Sequence, residues 1–197
     1  MTPTEMRERA ASHFQISAET KRRVAEECVD TVVEAAELLA ASLRDGGKIL
    51  LCGNGGSAAD CQHFAAELMS TLTQDFRRPG LKAIALTTDT SFLTAYTNDF
   101  GFEGVFARQV ETLGNPGDTL IGISTSGNSK NVILAMEAAR KGGVKTLALL
   151  GQGGHLQGLA DVVVSVPSTS TQHIQESHIA IAHILCDLVE CMLFDKA

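Results

Sequence analysis

Residues 49–67, ILLCGNGGSAADCQHFAAE, run from an apolar stretch through a glycine-rich turn into a helical segment that carries His63 and Glu67. An apolar strand feeding a turn of small residues at a helix start is how α/β folds hold an anionic group. Free backbone N–H groups and the helix dipole both favour negative charge there. The stretch therefore predicts a phosphorylated ligand. Two residues able to do proton or metal chemistry follow on the same helix, one turn apart.

Outward from this stretch, short β-rich runs alternate with helical windows. The runs are KILLCG (48–53), LKAIAL (81–86), DTLIGIS (118–124), VKTLALL (144–150) and DVVVSV (161–166). Continuous apolar runs between helices signal parallel strands buried on both faces by right-handed crossovers. The expected fold is a three-layer α/β sandwich with a five-stranded parallel sheet of flavodoxin-type topology. Its helices should cover about 57–73, 90–113 in two pieces, 128–141, 153–160 and 173–193. Upstream, a short helix is expected over 2–14, then a longer one capped by Ser17 and running to about Asp45, where Gly46 and Gly47 stop it. Val24, Cys28, Val32, Ala36, Leu39 and Leu43 recur every three or four residues along it. A helix of that length outruns a small α/β core, so part of its stripe is expected to pack on another subunit. Residues 1–47 then read as a helical arm for oligomerisation and residues 48–197 as the ligand-binding unit, within one structural domain overall.

Composition narrows the classes. The 197 residues are 44% hydrophobic and 20% charged, an ordinary globular balance, and the net charge of -7 gives no basic footprint for nucleic acid. Cys28, Cys52, Cys61, Cys186 and Cys191 form no CxxC pair and stand among apolar neighbours, so reduced, buried thiols in a cytoplasmic protein are expected. The N-terminal MTPTEMRERAASHFQ mixes charges and lacks the apolar core of a signal peptide. The apolar IAIAHILCDLVECMLF carries His183, Asp187 and Glu190 and reads as too short and too polar to span a bilayer.

In a sheet of this kind the ligand sits beyond the carboxyl ends of the strands, near the point where strand order reverses. That rule selects Gly53–Ser57, Thr87–Ser91 and Ser124–Ser129. In the last, hydroxyls and backbone N–H groups can surround phosphate oxygens without a lysine, although Ser126 or Asn128 could instead simply cap a helix. Gly53–Ala58 also fits G-x-G-x-x-A, but Asp89 lies further along than a dinucleotide fingerprint requires, and no Gly-Lys-Ser/Thr follows for a Walker loop. His63 and Glu67 share a helix face within reach of a common metal or substrate. The run Gln172–His183 gathers further polar groups ahead of an apolar helix. Gln175 and His183 share a face about 12 Å apart along the axis, and a neutral core histidine bonded to a carbonyl is the alternative for His183.

Taken together, CGNGGSAAD around Gly53–Ser57, the His63/Glu67 pair, Asn98-Asp99-Phe100-Gly101, the loop ISTSGNS, and Ile174-Gln175-Glu176 followed by His183 resemble the sugar isomerase (SIS) domain family, in its branch acting on phosphorylated heptoses. The resemblance spans about Lys48 to Phe194. It implies conversion of sedoheptulose 7-phosphate to D-glycero-D-manno-heptose 7-phosphate, the first step toward ADP-heptose and the lipopolysaccharide core. It also implies a homotetramer with active sites at subunit interfaces. By position, Ser57, Ser124, Thr125, Ser126 and Ser129 would hold the phosphate or neighbouring hydroxyls, and Asn54, Gly55, Gly56, Asn98 and Asp99 the sugar. His63, Glu67, Gln175 and His183 match the family's zinc ligands, one ion per subunit, and Glu67 and Gln175 also face substrate. Glu67 and His183 match its acid/base pair. Gln172 stands where some members carry an acid.

Such an isomerisation needs a base at the carbon beside the carbonyl and a partner for the oxygen-linked proton. Glu67 is assigned the first role and His183 the second, with the reverse left open. A non-catalytic member of the family that binds a replication initiator is the alternative, and retention of Glu67 and His183 argues against it. A sugar-phosphate sensor would come with a DNA-binding domain, and no nucleic-acid or membrane partner is expected.

Overall fold

A computed structural model describes residues 1–194. Two helices open the chain, α1 (Pro3–Glu27) and α2 (Val29–Arg44). Thr2 caps α1 in a reciprocal pairing with Glu5, and Pro3 occupies the first turn, where its missing N–H costs nothing. This capping box wins over the Ser17 start expected from the sequence. Ser17 is instead buried inside α1, where its hydroxyl accepts from Lys21 Nζ at 2.6 Å. The interruption falls at Cys28, whose thiol donates to the Ser165 carbonyl at 3.3 Å. The apolar stripe from Cys28 through Val32, Ala36 and Leu39 is buried in the chain's own core, while α1 buries only Ser17 and Thr20.

The remaining order is β1 (Ile49–Gly53), α3 (Gly56–Met69), β2 (Ala83–Ala85), α4 (Thr90–Phe100), a 3-10 turn at Phe102–Gly104, α5 (Val105–Leu113), β3 (Thr119–Ser124), α6 (Lys130–Lys141), β4 (Lys145–Leu150), β5 (Val162–Ser165) and α7 (Thr171–Phe194). The strands lie in the order β2-β1-β3-β4-β5, all parallel. Alternate strand residues feed two cores. Ile49, Leu51, Ile121, Ile123, Leu147 and Leu149 pack under α2, α3 and α7. Leu50, Cys52, Leu120, Ala148 and Leu150 pack under α5 and α6. These are the three layers read from the sequence, with β1 and β3 flanking the reversal in strand order.

Three expectations change. The helix expected over 153–160 is only a 3-10 turn at His155–Gly158, because Gly153 and Gly154 adopt φ of 80° and 96° and break a helical start. Helix α7 has 24 residues and meets the length and apolarity of a membrane span, contrary to the reading of its apolar half alone. Much of it is nevertheless buried against α2 and α3, as in a core helix. Finally, Cys191 is exposed, whereas the other four cysteines are buried. Burial raises Cys52 and Cys186 to about 12, which keeps those thiols protonated and inert.

Candidate active site

The carboxyl ends of β1 and β3 deliver two helix starts side by side. Gly55, at φ 57°, caps α3, and Ser129 caps α6; neither helix has a side-chain cap bond. Ser57 N and Ala58 N already donate to the Asn54 and Gly55 carbonyls and Val132 N to that of Ser129, so among the described residues Gly56 N, Lys130 N and Asn131 N are the first-turn donors left to an anion. In the second loop Ser129 Oγ lies 2.9 Å from Ser124 Oγ, and Ser126 Oγ accepts from Asn128 N at 3.2 Å. Gly127, at φ +65°, packs where a Cβ would come within 2.5 Å of the Gly153 carbonyl, so the loop is held close against its neighbour. The hydroxyls of Ser124 and Ser129 thus serve each other rather than cap the helix. Ser57, buried in the first turn of α3, and Thr125, half-buried, complete the hydroxyl set.

Asn54 does something the sequence did not disclose. Its amide exchanges two 2.9 Å hydrogen bonds with Asn131, which ties the glycine loop to α6. Asn131 lacks any motif, and its buried place on α6 emerges only once β1 and β3 are adjacent. The third expected loop, Thr87–Ser91, is committed locally: Asp89 caps α4 by accepting from Phe92 N at 2.9 Å. Asp89 is thus a helix cap rather than a ribose acid.

The chemistry-bearing groups meet beyond the glycine loop. His63 and His183, 120 positions apart, bring their Nε2 atoms to 2.8 Å, and Glu67 Oε1 lies 3.6 Å from His63 Nε2. Both imidazoles are exposed and Glu67 is half-buried, so the cluster faces solvent at the mouth of the site. At that separation one imidazole donates its Nε2–H and the bare Nε2 of the other accepts it. Gln175, two turns before His183 on α7, reaches the start of α3 at Gly56. A Cβ on Gly56 would stand 2.5 Å from Gln175 Nε2, so the missing side chain makes room for the amide. Asp60, one turn before His63, keeps a buried Oδ2 without a partner, and burial raises its carboxyl despite the attraction of His63.

The neutral core histidine considered for His183 occurs at His178 instead. Its Nε2 donates to the Leu150 carbonyl at 3.0 Å, and burial lowers its pKa to about 4. Asn98 and Asp99 lie on the exposed side of α4, where Asn98 Nδ2 donates to Asp99 Oδ1 at 2.8 Å. Helix α4 packs chiefly on the following 3-10 turn and α5, not on the His63–His183 cluster.

Behind the site, Arg78 holds the end of α3. It pairs with Glu190 at 2.8 Å, both side chains almost fully buried, and donates to the carbonyls of Leu68 and of Glu67 itself. Nothing in the local sequence RRPG marks this role, because its partner lies 112 positions away.

A parallel sheet with hydroxyl-rich, uncapped helix starts at its reversal point and a His–His–carboxylate cluster beside them is the arrangement of a sugar-phosphate isomerase domain. The family model described as SIS domain matches residues 12–151, and the chain belongs to the SIS domain family. Within it, the phosphoheptose isomerase of Roseiflexus sp. (strain RS-1) is 54% identical over 184 residues, covering 93% of this chain and 92% of that protein. The structure of phosphoheptose isomerase GmhA from Neisseria gonorrhoeae superposes with a TM-score of 0.88 at 48% identity, over 94% of this chain and 98% of the other. That of a phosphoheptose isomerase from Francisella tularensis gives 0.89 at 39% identity, over 96% and 98%. The chain is thus an isomerase of the phosphoheptose isomerase type.

Proposed function

We propose that this chain converts sedoheptulose 7-phosphate to D-glycero-D-manno-heptose 7-phosphate through an enediolate, as the first step toward ADP-heptose and the lipopolysaccharide core, in the cytoplasm. The observation that carries the reading is the convergence of Glu67, His63 and His183 beside two uncapped helix starts. Ser57, Ser124, Thr125, Ser126 and Ser129 hold the phosphate through hydroxyls and helix N–H groups. Asn54, Gly55, Gly56 and Gln175 wall the sugar. Fixing the phosphate sets the distance at which the carbonyl end of the open chain meets Glu67 and His183.

Glu67 removes a proton from C1 of the ketose and returns it to C2. His183 moves the proton between the two oxygens, accepting it from O1 and delivering it to O2. No atom is gained or lost, and the charge that develops on the oxygens is transient. Two imidazoles and a carboxylate are the donor set of a borderline divalent ion, and the buried, partnerless Oδ2 of Asp60 lies one turn before His63 on the same helix. His63, Glu67, His183 and Gln175 are the proposed zinc ligands. When bound, zinc would act as a Lewis acid for the enediolate oxygens.

The working unit we infer is a homotetramer. Asn98 and Asp99, outside the cluster of their own chain, would complete the sugar site of a neighbour, and the helices of residues 1–47 would supply part of the contact. The test is incubation of the chelator-treated protein with sedoheptulose 7-phosphate, with and without added zinc, following the aldose by NMR. Zinc-dependent appearance of the aldose is expected. Full turnover without metal would remove zinc from the reaction, and no aldose under either condition would refute the substrate.

A further inference from the structure

Away from the His63–His183 cluster, the first helix meets the last through a second set of ligand-capable groups. His13 Nε2 on α1 lies 2.7 Å from Glu176 Oε1 on α7, and His173 Nδ1 lies 3.3 Å from Glu176 Oε2. The two imidazole rings stand 4.5 Å apart. One ligand atom from each of the three residues falls within 4.8 Å of the others; among the described residues these three form the group that closes so tightly. We propose that His13, His173 and Glu176 form a second site for a divalent ion of the zinc class, which clips α1 to α7.

The chemistry of the donors selects the ion. Two imidazole nitrogens and one carboxylate suit zinc, cobalt or nickel and not magnesium or calcium, which prefer oxygen. Ligand atoms around a tetrahedral zinc stand roughly 3.3 Å apart, given metal–ligand distances of about 2.0 Å. The two imidazoles approach different oxygens of Glu176, at 2.7 and 3.3 Å, and with one ligand atom from each residue within 4.8 Å of the others, small side-chain rotations would bring the three to that spacing. His173 is buried and sets one side of the site, whereas His13 and Glu176 are half-open and leave room for a water as fourth ligand.

Helix α1 has reason to need a clip, because its own chain buries only Ser17 and Thr20 of it. A cross-link between positions 13 and 173 would dock its middle turns on α7. One group competes with the ion. Lys21 Nζ lies 3.9 Å from Glu176 Oε2, with its side chain 42% exposed and able to turn to water. Its charge should weaken the ion's hold without closing the site. Gln175, the next residue on α7, faces Gly56 instead, so successive positions of one helix serve two separate sites.

The experiment is a zinc titration of the chelator-stripped full chain by calorimetry, repeated with cobalt as a spectroscopic probe, in a His63→Ala background that disables the other proposed site. One equivalent of zinc per chain is expected to remain in His63→Ala, with visible cobalt bands of nitrogen ligation. His63→Ala/His13→Ala and His63→Ala/His173→Gln should each bind at least tenfold more weakly. His63→Ala/Lys21→Met should bind several-fold more tightly, as removal of a charge about 4 Å away requires. Zinc should raise the thermal midpoint of His63→Ala and leave that of the double variant with His13→Ala unmoved, a readout that also reports whether each variant folds. Absence of zinc binding in His63→Ala, or binding that His13→Ala does not alter, overturns the proposal. Isomerase activity plays no part in the measurement, so its outcome stands apart from that of the sedoheptulose test.

Discussion

At the scale of single residues, the proposed chemistry rests on two side chains that little else in the fold requires. Glu67 and His183 reach toward solvent, and neither contributes to the two cores. Glu67→Gln and His183→Gln are therefore expected to fold normally and to lose at least about two decades in kcat, the usual contribution of a positioned acid or base. Steady-state kinetics beside a thermal melt checks both halves, and near-normal turnover would remove that residue from the chemistry. Gly56 poses the complementary case. Its Cβ would stand 2.5 Å from Gln175 Nε2, the far end of a flexible side chain, so Gly56→Ala displaces the amide rather than the backbone. The expected result is a thermal midpoint within a few degrees of the parent and a kcat/KM roughly tenfold lower. A loss of stability with intact catalysis would show that Gln175 matters only for packing.

At the scale of elements, α3 is the lever, fixed at its start by the glycine loop and at its end by Arg78. The buried Arg78–Glu190 pair joins the segment after α3 to α7, and Glu190 Oε1 also accepts from Leu72 N at 3.1 Å. Glu190→Ala would strand a guanidinium with almost no access to water, a change that costs about 3–5 kcal/mol. In a chain of this size that corresponds to a fall on the order of 10 °C in thermal midpoint, measurable by calorimetry; a fall of a degree or two would mean that water or another group replaces the carboxylate. The sequence makes the start of α3 legible, because Gly53–Ser57 follows an apolar run. It leaves the end obscure, because Arg78 is defined by a partner brought near only by tertiary packing. The same reason separates what was readable in α1 and α2 from what was not. The stripe from Cys28 to Leu39 announces a helix, but Ser17 looks like a start only until the stronger box at Thr2 and Glu5 is weighed. Asn131 belongs with Arg78, since its exchange of bonds with Asn54 spans β1 and β3.

At the scale of the whole molecule, one carboxylate joins the starts of two central strands. Asp118 accepts from Lys48 N and Asn115 N, both at 2.8 Å, and pairs with Lys48 Nζ at 2.5 Å. Burial alone would raise its pKa, but the bonds to Lys48 and Asn115 outweigh that and lower it. A carboxyl depressed on folding contributes stability that is fully present above its unfolded value, about 3.9, and is lost as pH falls through the lower folded value. Urea unfolding from pH 7 down to pH 2 should show this acid limb, and Asp118→Asn should flatten it at a cost of about 1.5–3 kcal/mol at neutral pH. An unchanged limb would assign the acid loss to other carboxylates.

Assembly is argued from what the single chain leaves uncovered. Phe14 on α1 is 75% exposed, and on α2 Val29 and Val33, one turn apart, are 52% and 39% exposed. A large aromatic and a pair of branched side chains in water on the same two helices mark a contact surface better than scattered single residues do. The fold also leaves Asn98 and Asp99 on a helix that packs away from the His63–His183 cluster. A site completed by a neighbour reconciles both facts. Phe14→Asp and Val33→Asp are then expected to shift the mass seen by light scattering from that of the proposed tetramer toward smaller species while the circular dichroism of the fold persists. Their activity should fall with the mass and recover at high protein concentration, where association is restored. Retention of the parent mass in both variants would place the interface elsewhere and leave Asn98 and Asp99 without a neighbour to serve.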